Sequence, residues 1–305
     1  MIPGYIELFK KGELKKRASI LKEYYKKCSL CPHHCGGDRT KGETGICRSG
    51  TQSVVASFNS HQGEEPPISG KSGSGTIFFS GCSGRCIFCQ NYPISQLGTG
   101  RIVTDERLAE MMIELQNRGC HNINLVSPTH FIPSIVSSLY IAVSKGLRLP
   151  IVYNTGGYER EDIIKILNGI IDIYLPDTKY ADNKIAERLS GFHSYVEHNR
   201  SALKEMFHQV KNLKVKDGVA VRGLIVRHLI LPDGLSGTED VLRFLSESIS
   251  SDIYVSLMDQ YFPANKALHH EKLSRRITEK EYFDGIEYFT SNGLHNGWIQ
   301  KHFLL

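Results

Sequence analysis

From residue 75 onwards the sequence alternates between short apolar runs and helical patterns, and this alternation restricts the fold more than any other feature. The apolar runs are rich in β-branched residues and lie at 76–80, 122–127, 150–154, 171–176, 220–231 and 252–258. The helical patterns lie at 105–118, 131–146, 159–168, 198–213, 237–249 and 279–292. Near-continuous apolar strands that alternate with helices predict a parallel sheet covered by helices. Six such units predict an α/β fold, a partial (β/α)6 TIM-like barrel, with a doubly wound open sheet as the alternative.

The first 74 residues differ in composition from the rest: they are basic at the start and then rich in residues typical of loops. We therefore divide the chain into an N-terminal module, residues 1–74, and a barrel with a C-terminal helix, residues 75–305. Eight lysines and arginines crowd the first 27 residues: Lys10, Lys11, Lys15, Lys16, Arg17, Lys22, Lys26 and Lys27. Apolar side chains between them predict the solvated face of an amphipathic helix. The alternative is a contact with an acidic partner or nucleic acid.

Bulk properties favour a soluble protein with reduced thiols. The hydrophobic fraction is 40%, the charged fraction is 23% and the net charge is +5. We find no run of roughly 18 apolar residues that would span a membrane, and no apolar stretch of a signal peptide at the start. We therefore expect no membrane association and a cytoplasmic location, where cysteines are interpreted first as metal ligands or catalysts. The lack of a broad basic and aromatic stretch argues against a nucleic-acid partner.

Three closely spaced cysteines follow the first predicted strand of the barrel. Cys82, Cys86 and Cys89 have the spacing C-x3-C-x2-C in the segment TIFFSGCSGRCIFCQN. Three thiolates do not complete the four-ligand set usual for a [4Fe–4S] cluster, so one iron would stay open. Chemistry in barrels collects at the C-terminal ends of the strands. The segment therefore predicts a reactive iron–sulfur centre, and the alternative is a structural zinc site with a fourth ligand from elsewhere.

This spacing, with Phe88 before the last cysteine, resembles the signature of the radical S-adenosylmethionine (SAM) superfamily. The resemblance implies a barrel of the radical SAM type whose open iron chelates the amino and carboxylate groups of SAM. It also implies that one electron breaks a carbon–sulfur bond, releasing methionine and a 5′-deoxyadenosyl radical that abstracts hydrogen from a substrate.

Polar and idiosyncratic residues occupy the ends of the predicted strands, where such a cofactor would lie. We predict that SAM is held by Phe88 together with strand-end residues, namely Ser127, Pro128, Thr129, Asn154, Thr155, Asp177, Arg227, His228 and Met258. For any one of them the alternative is a turn, a cap or a satisfied buried polar group. Ser127-Pro128-Thr129 stands where relatives usually carry a Gly-Gly-Glu-like motif. Glu64 and Glu65, which precede two prolines, are interpreted as a solvated turn, with a role in the active site as the alternative.

Four further cysteines lie upstream, in the pattern C-x2-C-P-x2-C-x11-C. They are Cys28, Cys31, Cys35 and Cys47. Four thiolates suit tetrahedral zinc or a fully ligated cluster, and spacing alone does not choose between them. Zinc would be structural, whereas a second cluster could relay electrons to the first. Four unligated thiols are the third alternative.

A finer resemblance rests on several segments together. The segments CSLCPHHCGGDR, HQGEEPPISGKSGSGTIFFSGC, CIFCQNYPIS, VSPTHF, RHLILP and SLMDQYFP resemble the uncharacterised homologues of pyruvate formate-lyase activating enzyme. This resemblance implies an oxidoreductase-type enzyme of anaerobic metabolism, reduced by a partner such as flavodoxin or ferredoxin. It suggests a glycyl radical enzyme as the protein substrate. The alternative is radical modification of a small molecule or of another protein side chain.

Overall fold

A computed structural model of the chain describes residues 2–299. Within them ten strands form one sheet in the order β10-β9-β8-β6-β5-β4-β2-β1-β3, and β7 pairs with β8. The strands are β1 Ser53–His61, β2 Ser74–Phe79, β3 Arg101–Val103, β4 Ile123–Val126, β5 Ile151–Thr155, β6 Ile173–Pro176, β7 Lys214–Lys216, β8 Val219–Leu229, β9 Tyr254–Met258 and β10 Asn296–Ile299.

The parallel part of the sheet is the predicted partial barrel. Strands β2, β4, β5, β6, β8, β9 and β10 are parallel neighbours in chain order. Such an order contains no reversal point, which excludes the doubly wound alternative. The six predicted strands are confirmed, and β10 adds a seventh. Strands β5 and β6 are buried along their whole length, as their continuous apolar sequences require.

Eleven α-helices accompany the strands in the described part of the chain. They are α1 Gly4–Lys10, α2 Glu13–Glu23, α3 Pro66–Ser69, α4 Tyr92–Ser95, α5 Asp105–Asn117, α6 Ile132–Ser144, α7 Glu161–Ile166, α8 Asn183–Ser190, α9 Tyr195–Val210, α10 Thr238–Phe244 and α11 Glu279–Ser291. Local signals set several helix starts, because side chains at the N-cap satisfy free backbone amides. Thr104 caps α5, and Thr278 and Glu281 form a capping box at α11. Helix α8 was missed by the sequence interpretation.

The N-terminal basic region forms two helices instead of the one predicted. Gly12 has a φ of 72° and separates α1 from α2. The apolar side chains of Tyr5, Leu14 and Leu21 are fully buried in the core, and the lysines remain on the outside. The amphipathic interpretation of this region is therefore confirmed.

Strand β1 joins the N-terminal region to the barrel. It pairs antiparallel with β2, with Phe58 opposite Ile77, and its other edge carries β3. The expected boundary between residues 74 and 75 therefore falls inside one continuous sheet. Among residues 2–299, no helix is long and apolar enough to cross a membrane.

Candidate functional site

The loop after β2 carries the three spaced cysteines to the C-terminal end of the barrel strands. Gly81 begins this loop with a φ of 81°, and a Cβ there would lie 2.8 Å from the Cys47 carbonyl oxygen. Glycine is therefore required, because it alone combines the left-handed conformation with this close approach. Further along, the amides of Arg85 and Ile87 donate to the carbonyls of Ser190 and Leu189 at 2.8 Å. These bonds satisfy carbonyls at the C-terminus of α8 and fix the loop to it.

Each of the three thiols has its own hydrogen-bond partner. The Gly84 amide donates to Cys82 Sγ at 3.3 Å, and the Ser190 hydroxyl donates to Cys86 Sγ at 3.0 Å. The Ser95 hydroxyl lies 3.1 Å from Cys89 Sγ. Hydrogen bonds to sulfur are a means by which proteins tune iron–sulfur clusters. The three thiols therefore fit a cluster that takes one thiolate on each of three irons.

The thiols need a metal to become thiolates. Burial raises the pKa of Cys82 to about 12 and also raises that of Cys86. Without a cation both groups would stay protonated at neutral pH, and metal binding releases such protons. In the described part of the chain, no group of three or more His, Cys, Asp or Glu side chains is arranged for a single metal ion.

Beside the loop, five polar residues from the strand ends form what we call the mouth network: Glu64, Asn154, Asp177, Lys179 and Arg227. Arg227 Nε donates to Asp177 Oδ1 at 2.9 Å, and its Nη2 donates to Asn154 Oδ1 at 2.7 Å. Lys179 pairs with Asp177, and the Asn154 amide donates to Glu64 Oε2 at 3.4 Å. The network thus joins the ends of β5, β6 and β8 to the segment before α3.

The mouth network borders a cavity of about 230 Å³ that also touches the cysteine loop. Its walls include Cys86, Phe88, Cys89, Asp177, Lys179, Arg227 and Met258. Burial opposes ionisation of Asp177, but the attraction of Arg227 and Lys179 outweighs it and lowers the pKa of that carboxyl below its ordinary value. The cavity wall therefore carries fixed charges of both signs next to the thiols.

A second cavity of about 240 Å³ shares Arg227, Met258 and Gln260 with the first. Glu64 and Glu65 line it. The Glu65 side chain is buried, and its Oε2 atom has no hydrogen-bond partner among the described residues. The interpretation of these two glutamates as a solvated turn is wrong, because the two prolines after them fold the turn inward against Arg227.

Two of the residues predicted to bind SAM, Thr129 and Thr155, point away from the mouth network. Together with Tyr153 and Glu159 they form what we call the interior cluster. Thr129 Oγ1 donates to Glu159 Oε1 at 2.5 Å, and Thr155 Oγ1 donates to the same oxygen. Tyr153 OH donates to Glu159 Oε2 at 3.3 Å. Glu159 is fully buried, and burial raises its pKa to about 7. The threonine hydroxyls are therefore committed to an internal carboxyl group.

The histidine predicted to bind the cofactor is also internal. His228 is fully buried, with Nδ1 at 2.6 Å from the Thr178 carbonyl oxygen and Nε2 at 3.0 Å from Thr238 Oγ1. Burial lowers its pKa to about 4, so the ring is neutral. With both nitrogens occupied, His228 is not brought to the cavity, and the alternative of a satisfied buried group describes it.

The residues at the end of β4 do not line the first cavity with their side chains. Their feature is the backbone conformation of Ser127. Ser127 has a φ of 57°, in the left-handed region that is costly for a residue with a Cβ. Its amide donates to the Asn154 carbonyl at 2.8 Å, and Pro128 behind it is buried. Strain of this kind is typical of functional sites. Of the residues predicted to bind SAM, Phe88, Asp177, Arg227 and Met258 line the first cavity, and Asn154 contacts Arg227.

Comparison with known proteins identifies the family. The profile of the Radical SAM superfamily matches residues 76–206, the span that holds the cysteine loop and strands β4 to β6. Residues 76–206 therefore form a radical SAM domain. Members of the superfamily bind a [4Fe–4S] cluster and SAM, so the sequence prediction of these cofactors is confirmed for this radical SAM protein.

Its relatives include an uncharacterized protein, MJ0674 of Methanocaldococcus jannaschii. The two are 31% identical over 293 residues, which cover 92% of this chain and 80% of the relative. Three solved structures resemble this radical SAM protein at TM-scores of 0.45, 0.48 and 0.44: TYW1 with a lysine–pyruvate adduct bound, HydG, a maturase of the [FeFe]-hydrogenase, and methylornithine synthase (PylB). Their identities are 13%, 13% and 17%, over 72%, 71% and 73% of this chain and 74%, 49% and 69% of theirs.

Several residues near the two cavities are not among those predicted to bind SAM, although the sequence offered Lys179 at a strand end beside Asp177. Lys179, Glu64 and Glu65 border the two cavities, and Glu159 organises the strand ends from inside. Lys179 carried a signal, since it follows Asp177 by two residues after the strand. Glu159 carried none, because a glutamate before a helix ordinarily looks like a solvated residue of the first turn.

Proposed function

We propose that Cys82, Cys86 and Cys89 ligate the [4Fe–4S] cluster and that SAM occupies the cavity between their loop and the ends of β6, β8 and β9. One observation carries this proposal: each of the three thiols has a hydrogen-bond partner, and Cys86 and Cys89 border a cavity lined by Asp177, Lys179 and Arg227. When bound and reduced, the cluster supplies the electron that cleaves SAM to methionine and a 5′-deoxyadenosyl radical.

The mouth network suits the amino-acid end of SAM, which carries one positive and one negative group. Lys179 and Arg227 offer donors to a carboxylate, and charge-assisted hydrogen bonds of this kind are the strong ones. Asp177 and Glu64 offer acceptors to an ammonium group. Met258 and Phe88 are largely buried beside them and add apolar wall. In this proposal the charged side chains orient SAM, and the open iron of the cluster stays free to bind it.

Replacement of a single cluster ligand tests the site. Cys86→Ala removes one of only three thiolates, so we expect loss of 5′-deoxyadenosine formation below about 1% of wild type, the scale of two decades of rate. The assay is anaerobic incubation of the reconstituted, reduced protein with SAM, followed by chromatography. The matched control is Cys120→Ala, which alters a buried cysteine next to Gly75, at the start of β2 and away from the cysteine loop, and should retain activity. Full activity in Cys86→Ala would disprove the assignment.

For the substrate, we propose a glycine of a partner glycyl radical enzyme. The support is the combined resemblance of the cysteine, Glu-Glu-Pro-Pro and strand-end segments to homologues of pyruvate formate-lyase activating enzyme. Exposed Gln90 and Gln260 at the rim, joined by a hydrogen bond of 3.2 Å, leave a surface that a peptide loop could approach. Reduction would come from an electron donor such as flavodoxin or ferredoxin.

Electron paramagnetic resonance tests this substrate. Anaerobic incubation with SAM, a reductant and each glycyl radical enzyme of the source organism should give a glycyl radical doublet with one of them. The Cys86→Ala variant should give none. Silent spectra with every partner, while 5′-deoxyadenosine still forms, would exclude glycyl radical activation and preserve the cofactor assignment.

A second candidate is a small molecule that carries an amino group, and the second cavity favours it. The buried Glu65 Oε2 atom lacks a partner, and an unpaired acceptor in such a place is costly unless a ligand donates to it. Comparison of metabolites between a deletion strain and its parent tests this candidate. An amino compound that accumulates on deletion, and is consumed by the wild type but not by Glu65→Gln, would support it. Unchanged metabolites would exclude it.

A further inference from the structure

The upstream loop that holds Cys28, Cys31, Cys35 and Cys47 lies directly against the loop of the radical motif. His33 Nε2 donates to the Ser83 carbonyl at 2.7 Å, and Arg85 donates to the Ile46 carbonyl. The contact of Gly81 with the Cys47 carbonyl described above adds a third point of contact. The two cysteine loops therefore form one continuous structure, although 35 residues separate Cys47 from Cys82 along the chain.

The upstream loop is an ordered turn instead of a loose connection. The Cys28 amide donates to the Gly37 carbonyl at 2.9 Å, and the Cys28 carbonyl accepts from the Gly36 amide at 2.8 Å. Three of its cysteines, Cys28, Cys31 and Cys47, are buried. The fourth cysteine, Cys35, packs against Gly45, where a side chain would not fit because its Cβ would lie 2.6 Å from the Cβ of Cys35.

A buried cation among these thiols lacks an acidic partner. Arg39 is 4% exposed, and its Nη2 lies 3.4 Å from Cys47 Sγ. Its Nη1 donates to the His130 carbonyl at 2.7 Å, and the guanidinium lies 5.6 Å from the centre of the Tyr25 ring. Within residues 2–299 no Asp or Glu forms an ion pair with it, and its Nε has no hydrogen-bond partner.

Such a cation needs a negative charge nearby. A buried charge without a partner is strongly destabilising, so buried charges are paired or lie beside metal centres. Neutral thiols do not balance a guanidinium, whereas four thiolates on a metal centre carry a net negative charge. Arg39 therefore points to an anionic metal–thiolate centre in this loop.

The position of the upstream loop favours a cluster over a zinc ion. Its contacts with Ser83 and Arg85 place it beside the loop of the radical motif. An iron–sulfur cluster in this position can pass electrons to a neighbouring cluster, whereas zinc has no redox chemistry.

We propose that Cys28, Cys31, Cys35 and Cys47 hold a second iron–sulfur cluster, fully ligated by protein, with Arg39 as its buried counter-charge. This site is separate from the radical cluster and does not depend on the proposed function. Its contact with Ser83 and Gly81 places it next to the radical loop.

Metal analysis of the anaerobically purified full-length chain tests the proposal. The Cys82/Cys86/Cys89→Ala triple variant should retain about four iron and four sulfide atoms, the content of one four-iron cluster. Further replacement of Cys28 and Cys31 by Ala should remove them, whereas further replacement of Cys120 should not. In the wild type, Mössbauer spectroscopy should count about eight irons per chain, on the same basis.

The outcomes separate this proposal from the proposed function. A triple variant with zinc or with no metal, beside a wild type with only about four irons, would overturn the second cluster and leave SAM cleavage untouched. Retained iron in the triple variant, with no SAM cleavage by the wild type, would support the second cluster against the proposed function. If the triple variant does not fold, the iron count of the wild type and of Cys35→Ser decides, since Cys35 is exposed.

Arg39 has its own readout. Its positive charge stabilises the more negative, reduced cluster, so Arg39→Gln should lower the reduction potential of the residual cluster in the triple-variant background. Arg39→Lys should restore most of the potential, because it returns the charge. Equal potentials in all three proteins would show that Arg39 only supports the loop.

Discussion

The mouth network and the interior cluster lie at neighbouring strand ends but stabilise their buried carboxyl groups in opposite ways. The mouth network pairs full charges, Arg227 and Lys179 with Asp177, beside a cavity. The interior cluster surrounds Glu159 with hydroxyl groups, and no cation among residues 2–299 forms an ion pair with it. Charge pairing lowers the pKa of Asp177. Burial raises the pKa of Glu159 to about 7. The difference indicates that only the mouth network is arranged for a charged ligand.

The largest effect should come from Arg227→Ala, which removes the centre of the mouth network. Breaking a buried ion pair by removing one partner costs about 3–5 kcal/mol. Asp177 would keep only Lys179, and Glu65 would lose the positive charge of Arg227. We also expect 5′-deoxyadenosine formation to fall by about 100-fold, the scale of two such charge-assisted bonds. Urea unfolding and the SAM cleavage assay measure the two effects.

The control for Arg227 is Arg222→Ala on the same strand, because Arg222 donates to the Gln209 carbonyl and lies away from the cavity. The pH dependence adds a check. The lowered pKa of Asp177 means that its pairing stabilises the fold above its ordinary value of 3.8 and is lost as the pH falls through the lower folded value. Arg227→Ala should lose less stability than wild type at such acidic pH. If Arg227→Ala loses as much stability at acidic pH as wild type does, the contrast between the mouth network and the interior cluster is wrong.

A smaller effect, of opposite sign, should follow Glu159→Gln in the interior cluster. The folded pKa of about 7 exceeds the ordinary value of 4.5, so the folded state keeps a proton that the unfolded state loses between those values. The stability of the wild type therefore decreases as the pH rises through this window, by about 3 kcal/mol. The variant should lack this decrease and become relatively more stable at pH 8.

The measurement for Glu159 is the urea midpoint at a series of pH values between about 4.5 and 8, the window set by linkage. Glu161→Gln, an exposed neighbour on α7, is the matched control and should keep the slope of the wild type. SAM cleavage should persist in Glu159→Gln, because the side chain does not line the cavity. A variant less stable than wild type at pH 8 would mean that Glu159 is charged and paired like the mouth network.

The smallest effect is expected for His228→Gln. The folded pKa of about 4 lies below the ordinary value of 6.5, so protons bind the unfolded state first and stability is lost as the pH falls between those values. His130, also buried with a pKa of about 4, adds to the same slope. The variant should therefore show a smaller acid slope than wild type, at a cost of about 1–2 kcal/mol for the altered hydrogen bonds. Exposed His295→Gln should match wild type. A full slope in His228→Gln would assign the titration elsewhere.

Much of the architecture could be predicted because its signals are local. A buried parallel strand is a continuous apolar run, and a cluster loop is a fixed spacing of cysteines. These features identified six strands and the cofactors. Strand β1 was missed because its sequence, Ser53–His61, alternates weakly among small polar residues, and β10 is a short edge strand whose pairing depends on β9.

The sequence by itself determined the radical SAM chemistry and the class of fold, because spacing and periodicity are properties of consecutive residues. Only the tertiary structure decided which strand-end side chains face the mouth. Thr155 and Asn154 are adjacent on one strand, so their side chains point to opposite faces. Asn154 meets Arg227 from β8, and Thr155 meets Glu159, whose carboxyl group also accepts from Thr129 after β4. Burial raised the pKa of the Glu159 carboxyl group, whereas charge pairing lowered that of Asp177, and no local pattern encodes this difference.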